Sequence, residues 1–199
     1  MTFSGEMGLV LALSYLLGSV PFGLLFTKMA GLGDIRNVGS GNIGATNVLR
    51  TGRKDLALAT LIMDAGKGAI AVLLTRYLVD PALAPLAGAA AFIGHCFPLY
   101  LKFKGGKGVA TFFGTIFAIN LLLGLACGVT WLLAAAIFRF SSLSALIASL
   151  LAPAISYYIV GPDSWIFIAF MTLVIYIRHK ENITRLMRGE EPKIGKKNK

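Results

Sequence analysis

Asp55–Val79 reads DLALATLIMDAGKGAIAVLLTRYLV, and between its first residue and Arg76 the only charges are Asp64 and Lys67. An α-helix needs about 20 mostly apolar residues to cross the hydrocarbon layer, and this stretch is long enough. It holds no proline, and its alanines, leucines and methionine are good helix formers. Asp64 and Lys67 stand three residues apart, which on a helix is one face. Each would cost about 2.5–3.5 kcal/mol alone at mid-membrane, so they are predicted to pair. A functional part for such a pair is the default reading.

Similar stretches lie on either side. Met7–Gly31, interrupted by Pro21, and Pro85–Leu101, with His95 and Pro98 near its end, are of spanning length. Val109–Leu123 and Leu125–Phe138 are short and read as two tight spans or a re-entrant pair. Leu143–Val160 and Ser164–Ile177 complete the set. Mean hydropathy is +0.76, and only 14% of the 199 residues are charged. Soluble domains carry nearer a quarter. The expectation is an all-α integral membrane protein of about seven transmembrane helices, residues 1–199 forming one polytopic domain.

Charge sets the orientation. With the N-terminus outside, the inner segments are about 32–54, 102–108, 139–142 and the tail 178–199, and the C-terminus is cytoplasmic. All 19 lysines and arginines except Lys67 and Arg76 then fall in those segments or at adjoining helix ends, as the positive-inside rule requires. Three helices begin on that side, and their unpaired N–H groups and dipoles favour anions. The expected ligand is anionic and carries phosphate.

Three inner segments hold candidate chemistry. Asp34–Arg50 is DIRNVGSGNIGATNVLR. Gly39, Gly41 and Gly44 match G-x-G-x-x-G formally, but a membrane helix precedes them instead of the strand a dinucleotide fold needs. The remaining reading is an anion site: glycines admit an oxyanion, Ser40, Asn42, Thr46 and Asn47 donate, and Arg36 and Arg50 supply charge. Lys102–Thr111 is KFKGGKGVAT. It lacks the spacing and Lys-Ser/Thr ending of a nucleotide loop, so ATP is unsupported. Lys104, Gly105, Gly106, Lys107 and Gly108 before a helix N-terminus suit a phosphate cradle; the plainer alternative is a positive-inside anchor.

Arg178–Leu186 is RHKENITRL. Ile183, Leu186 and Met187 suggest a short interfacial helix. His179 and Asn182 would share its face, with His179 the best candidate proton acceptor. Ser142, after Arg139, is a helix cap or a phosphate contact. The tail from Pro192 reads as a solvated basic end, and His95 as a packed or hydrogen-bonded residue. Gly124 and Gly128 mark a tight turn or a close helix contact. Cys96 and Cys127 lie in apolar surroundings without ligand spacing, and His95 and His179 are the only histidines. No metal centre is expected.

In this order and spacing, the three motifs, with Gly94-His95 ahead of the second, resemble those of the bacterial acyl-phosphate:glycerol-3-phosphate acyltransferases, the PlsY family. The resemblance covers the whole chain. It implies transfer of a fatty acyl group from acyl phosphate to the sn-1 hydroxyl of glycerol 3-phosphate. Lysophosphatidic acid and inorganic phosphate are the products, in phospholipid biosynthesis. It implies Ser40 and Arg50 as catalytic or phosphate-binding; Gly41, Asn42, Thr46, Asn47 and Ser142 are the phosphate contacts expected from the residues themselves. The Lys104–Gly108 loop becomes the glycerol 3-phosphate site. His179 and Asn182 become essential polar groups, and Glu181 takes a structural part. Coenzyme A and acyl carrier protein donors, cofactors and nucleic acid are not expected. The enzyme is expected as a monomer among lipids of the bacterial cytoplasmic (inner) membrane, its active face cytoplasmic.

The residues suit that chemistry. An acyl phosphate is a mixed anhydride, already activated, so no acyl-enzyme is required and no Ser/His/Asp set is evident. Two phosphorylated reactants repel, and lysines, arginines and helix N-termini offset the repulsion. The attacking hydroxyl gives its proton either to His179 or to a substrate phosphate. A carrier for an anionic solute would need charges along a path through the bilayer, and Asp64 and Lys67 are thin support. The H-x-x-x-x-D acyltransferase pattern is absent: Tyr100 follows His95 and Thr184 follows His179 at that spacing. The inner loops hold no carboxylate cluster for a metal-dependent phosphotransferase.

Overall fold

The computed structural model describes residues 5–195 and, among them, is built of helices and turns. The chain forms two compact units, one ending at Ile119 and the other beginning at Asn120.

In the first unit, α1 (Gly5–Gly18) and α2 (Phe22–Met29) are a single apolar stretch broken at Pro21, whose ring cannot continue a helical hydrogen-bond ladder. The one-turn α3 (Ala45–Val48) lies in the following loop, and α4 (Lys54–Leu78) is the stretch quoted first. The helices α5 (Ala84–Cys96) and α6 (Val109–Ile119) complete the unit. Thr60, Asp64, Lys67, Gly68, Ala71 and Thr75 form the buried stripe of α4, while Leu58, Ile62 and Leu74 on the other side are more than half exposed. Polar residues inside and large apolar residues outside is the arrangement that lipid selects. A methyl group at Gly114 would strike the Ala65 backbone, so α6 lies tight on α4, and the Thr111 hydroxyl donates to the Asp64 carbonyl at 2.8 Å. Val10, Ala71, Leu83, Ala87 and Ala91 join α1, α4 and α5 in one core cluster.

The second unit comprises α7 (Leu121–Phe138), α8 (Ser141–Ile159), α9 (Pro162–Arg178) and the two-turn α10 (Lys180–Met187). Helix α8 packs against α7 and α9, and α10 packs against α8 and α9.

Among the described residues, five segments are long and apolar enough to cross a membrane: Gly5–Met29, Lys54–Leu78, Pro81–Leu101, Leu121–Phe138 and Ser141–Ile159. The break expected near Gly124 falls at Asn120 instead. Its side chain accepts the Leu123 N–H at 3.0 Å and caps α7. Gly124 and Gly128 therefore lie inside α7, not at a turn.

Candidate active site

Within Asp34–Arg50 the organiser is Asn47, only 1% exposed. Its amide donates to the carbonyls of Ile35 (3.0 Å), Val38 (2.9 Å) and Asn42 (2.8 Å). Its oxygen accepts the Ser40 N–H at 3.0 Å and the Ser40 hydroxyl at 3.2 Å. Every polar atom of this side chain is engaged with the loop itself, so Asn47 is a staple and not the phosphate donor expected of it. The staple turns Ser40 to a fixed place and leaves Gly41 and Thr46 on the exposed side. Asn42 accepts the N–H of Ile43 at 3.0 Å, which leaves its amide hydrogens outside that turn.

Gly39 has φ +57°, and a Cβ there would lie 2.6 Å from Asn47 Oδ1 and 2.7 Å from Arg50 Nη1. The glycine thus admits the Arg50 guanidinium across the loop backbone. Arg36, also expected to face an anion, instead turns back on Asp34, with its Nε 2.9 Å from Oδ1. That hydrogen bond lowers the Asp34 carboxyl to about 2.

The lysine and glycine loop follows two consecutive residues in left-handed backbone, Lys102 (φ 51°) and Phe103 (φ 63°). Side chains adopt that conformation at a cost of about 1–3 kcal/mol. Lys104 is exposed, Lys107 half-buried, and Gly106 and Gly108 buried. The Gly106 N–H donates to the His95 carbonyl at 3.0 Å, so this amide is not a phosphate donor. A Cβ at Gly106 would overlap the His95 ring, one at Gly105 the His95 carbonyl, and one at Gly108 the Phe92 ring. These glycines let the loop wrap the end of α5 and hold Lys104 and Lys107 before the N-terminus of α6.

The two loops are fastened together. Leu101, just before the lysines, packs into the cluster of Leu24, Ile35, Ile43, Val48 and Ala57 that underlies Asp34–Arg50. Ser40, Arg50, Lys104 and Lys107 thereby share one end of the first unit's bundle.

In the second unit, His179 is the junction of α9 and α10 and is 3% exposed. Its Nδ1 lies 2.8 Å from the Ile175 carbonyl. A carbonyl only accepts, so Nδ1 bears the proton and Nε2 is the basic nitrogen of the neutral ring. Asn182 is 6% exposed and donates to Glu191 Oε1 at 2.6 Å. The Ser142 hydroxyl donates to the same oxygen at 2.6 Å, and Arg185 Nε to Oε2 at 2.7 Å. Burial pushes the Glu191 carboxyl up, but these hydrogen bonds outweigh it and hold the group below the ordinary glutamate range.

One expectation changes here. Ser142 does not cap α8, whose N-cap residue is Phe140; its hydroxyl meets Glu191. Glu191 is 6% exposed, whereas Glu181 is 79% exposed and 4.0 Å from Arg185. The tail is anchored as far as it is described. The Ile194 N–H donates to the Arg139 carbonyl at 2.7 Å, and the Lys193 ammonium sits over Phe140. Residues 196–199 lie outside the described residues.

Residues 8–189 match the family model for glycerol-3-phosphate acyltransferase. The chain is 58% identical over 196 residues to the glycerol-3-phosphate acyltransferase of Dinoroseobacter shibae, covering 98% of this chain and 97% of that one. The chain belongs to the glycerol-3-phosphate acyltransferase family. The enzyme of that name from Paramagnetospirillum magneticum is 61% identical over 185 residues, covering 93% of this chain and 92% of the other. Among solved structures, PlsY, an integral membrane glycerol 3-phosphate acyltransferase, superposes in its glycerol 3-phosphate form with TM-score 0.90 and 35% identity over 96% of both chains. Its lysophosphatidic acid form superposes with TM-score 0.87 and 33% identity over 96% of both. The family indicated by the three motifs is therefore the right one, and the chain is a multi-pass membrane protein.

What the motifs of this acyltransferase family did not disclose is the support beneath them. Glu191 lies just before the stretch read as a solvated end and has no reading of its own in the sequence, although Arg185 six residues earlier is an available signal. Asp64 and Lys67 were expected to pair and do, with Lys67 Nζ 2.8 Å from Asp64 Oδ1. Their meeting with His95 of α5 was beyond any spacing rule.

Proposed function

We propose that this acyltransferase moves a fatty acyl group from acyl phosphate to the sn-1 hydroxyl of glycerol 3-phosphate. It releases lysophosphatidic acid and inorganic phosphate at the cytoplasmic face of the bacterial inner membrane. The observation that carries this reading is the fastening of Asp34–Arg50 to Lys102–Gly108 through Leu101. It gathers one hydroxyl, one guanidinium and two ammonium groups at one end of an apolar bundle, where two phosphates can be neutralised while the acyl chain stays in hydrocarbon.

The roles follow from chemistry. Lys104 and Lys107, with the N-terminus of α6, take the phosphate of glycerol 3-phosphate. Arg50 and Ser40, with Gly41, Asn42 and Thr46 beside them, take the phosphate of the donor. The sn-1 oxygen attacks the acyl carbon, and the carbon–phosphate oxygen bond breaks. Phosphate leaves with its electron pair, stabilised by Arg50. His179 accepts the hydroxyl proton at Nε2. The Nδ1 bond to Ile175 supports this role, since it orients the ring and fixes the tautomer. Glu191 joins Ser142 of α8 to Asn182 in the first turn of α10, the helix that His179 begins. No covalent acyl-enzyme is needed, because the donor is already an anhydride.

We propose seven crossings of the membrane: Gly5–Met29, α4, α5, α6, α7, α8 and α9. The N-terminus is then outside and the C-terminus cytoplasmic, which keeps Lys28, Arg36, Arg50, Lys104, Arg139 and Arg178 on one side. The test is release of phosphate and formation of lysophosphatidic acid from a synthetic acyl phosphate and glycerol 3-phosphate by the purified protein in detergent. An anion carrier gives neither product.

A further inference from the structure

The mechanism above leaves one buried cluster unused. Lys67, 2% exposed in the middle of α4, has its ammonium 2.8 Å from Asp64 Oδ1, 3.0 Å from the Val20 carbonyl and 3.0 Å from His95 Nδ1. It also lies 5.5 Å from the centre of the Phe22 ring. An ammonium has three hydrogens and no lone pair: here it meets the Val20 carbonyl and His95 Nδ1 as acceptors and pairs by charge with Asp64. His95 Nδ1 is 3.6 Å from Asp64 Oδ1, too far for a hydrogen bond, so Lys67 is its partner. The lysine donates, Nδ1 accepts, and the His95 proton sits on Nε2.

That assignment reaches the loop. The edge of the His95 ring bearing Nε2 is where a Cβ at Gly106 would lie, and the His95 carbonyl accepts the Gly106 N–H at 3.0 Å. Ring and carbonyl of one residue therefore bracket Gly105-Gly106, between the two lysines that meet phosphate. A lysine and aspartate kept solely for packing are a poor choice in hydrocarbon. A buried pair replaced by apolar groups of similar volume is often as stable or more stable. Broken α1–α2 backbone is one thing Lys67 secures; the tautomer of His95 is the other.

We propose that Asp64, Lys67 and His95 are a positioning triad that holds the Lys102–Gly108 loop in the shape that binds the phosphate of glycerol 3-phosphate. None of the three touches substrate. They act through the loop backbone, and the inference rests on the reading of that loop as the glycerol 3-phosphate site.

The test is kinetic and spectroscopic, on full-length protein in detergent. Lys67→Met alone would leave Asp64 buried without its cation, so the variant to use is Asp64→Asn with Lys67→Met, which removes both charges together. Its KM for glycerol 3-phosphate is expected to rise about tenfold while kcat and the KM for acyl phosphate stay within about twofold. Histidine ¹⁵N shifts of the wild type should show His95 protonated at Nε2, and the double variant should lose that preference. A wild-type KM in the folded double variant overturns the proposal, as does an equal rise of both KM values with a fall in kcat. So does a wild-type His95 protonated at Nδ1, a result that holds even if the variant fails to fold. Lys104→Ala separates the two claims. If it moves the KM for acyl phosphate instead, the loop assignment has failed and with it the substrate named here. Positioning then stands only if the double variant moves that same constant.

Discussion

The side-chain oxygen of Asn47 accepts both the backbone N–H of Ser40, at 3.0 Å, and its hydroxyl, at 3.2 Å, across the loop. The amide end of the same side chain ties three carbonyls. Asn47→Asp keeps the size and the acceptor toward Ser40 but places a carboxylate oxygen against those carbonyls. It should therefore be as damaging as Asn47→Ala. Each carbonyl left buried and unsatisfied costs about 1–3 kcal/mol. Both variants are expected to lose at least about tenfold in kcat, with lower thermal stability in detergent. An active Asn47→Asp enzyme would mean that only the acceptor matters.

Gly39 and Arg50 form a second pair. A methyl group at Gly39 meets Arg50 and Asn47 and must be held in left-handed backbone. Gly39→Ala should cost about 1–2 kcal/mol in stability from backbone strain and lower activity nearly as far as Arg50→Ala. Gly33 also has a positive φ, with open space around its Cβ position. Gly33→Ala therefore reports the strain alone, and its activity should be near wild type.

Glu191 gives the chain a stability that depends on pH. Its carboxyl is held below the ordinary range in the folded protein, chiefly because three hydrogen bonds outweigh burial. Its contribution is then present in full above the ordinary glutamate value and is lost as pH falls through the lowered folded value. Glu191→Gln should lower stability at neutral pH by about 1.5–3 kcal/mol, the worth of a charged hydrogen bond. The gap to wild type should close on acidification below about pH 4.5. Glu181→Gln, on the exposed side, should change stability by less than about 0.5 kcal/mol. Equal losses from the two variants would contradict the placement of the carboxylate.

The helical membrane fold could be read from sequence because apolar length and the scarcity of charge are local properties. So were the glycine and lysine motifs, whose residue types announce anion chemistry before any contact is known. The supporting contacts were not local. Asn47 looks like any other donor of its loop until its amide is seen to be saturated. Glu191 looks like a tail residue until Ser142, 49 positions away, is found hydrogen-bonded to it. The α6–α7 boundary differs from the expected one for another reason: the two apolar stretches meet at Gly124, whereas the asparagine four residues earlier supplies the cap that starts α7.

His179 is expected to take the proton of the attacking hydroxyl. His179→Ala should lower kcat by about 10²-fold or more and remove the acidic limb of the pH–rate profile. A profile that keeps its limb with little loss of rate assigns the proton to a substrate phosphate, whose second pKa is near ~6. His179→Gln should not restore the limb, since an amide nitrogen is not a base.

The account rests on two phosphorylated reactants meeting at cationic loops beside hydrocarbon. The most direct measurement supplies purified protein with glycerol 3-phosphate and either an acyl phosphate or the matching coenzyme A thioester, and follows lysophosphatidic acid by mass spectrometry. Product from the acyl phosphate with stoichiometric phosphate release, and none from the thioester, is the predicted result. Product from the thioester, or none from the acyl phosphate, would contradict it.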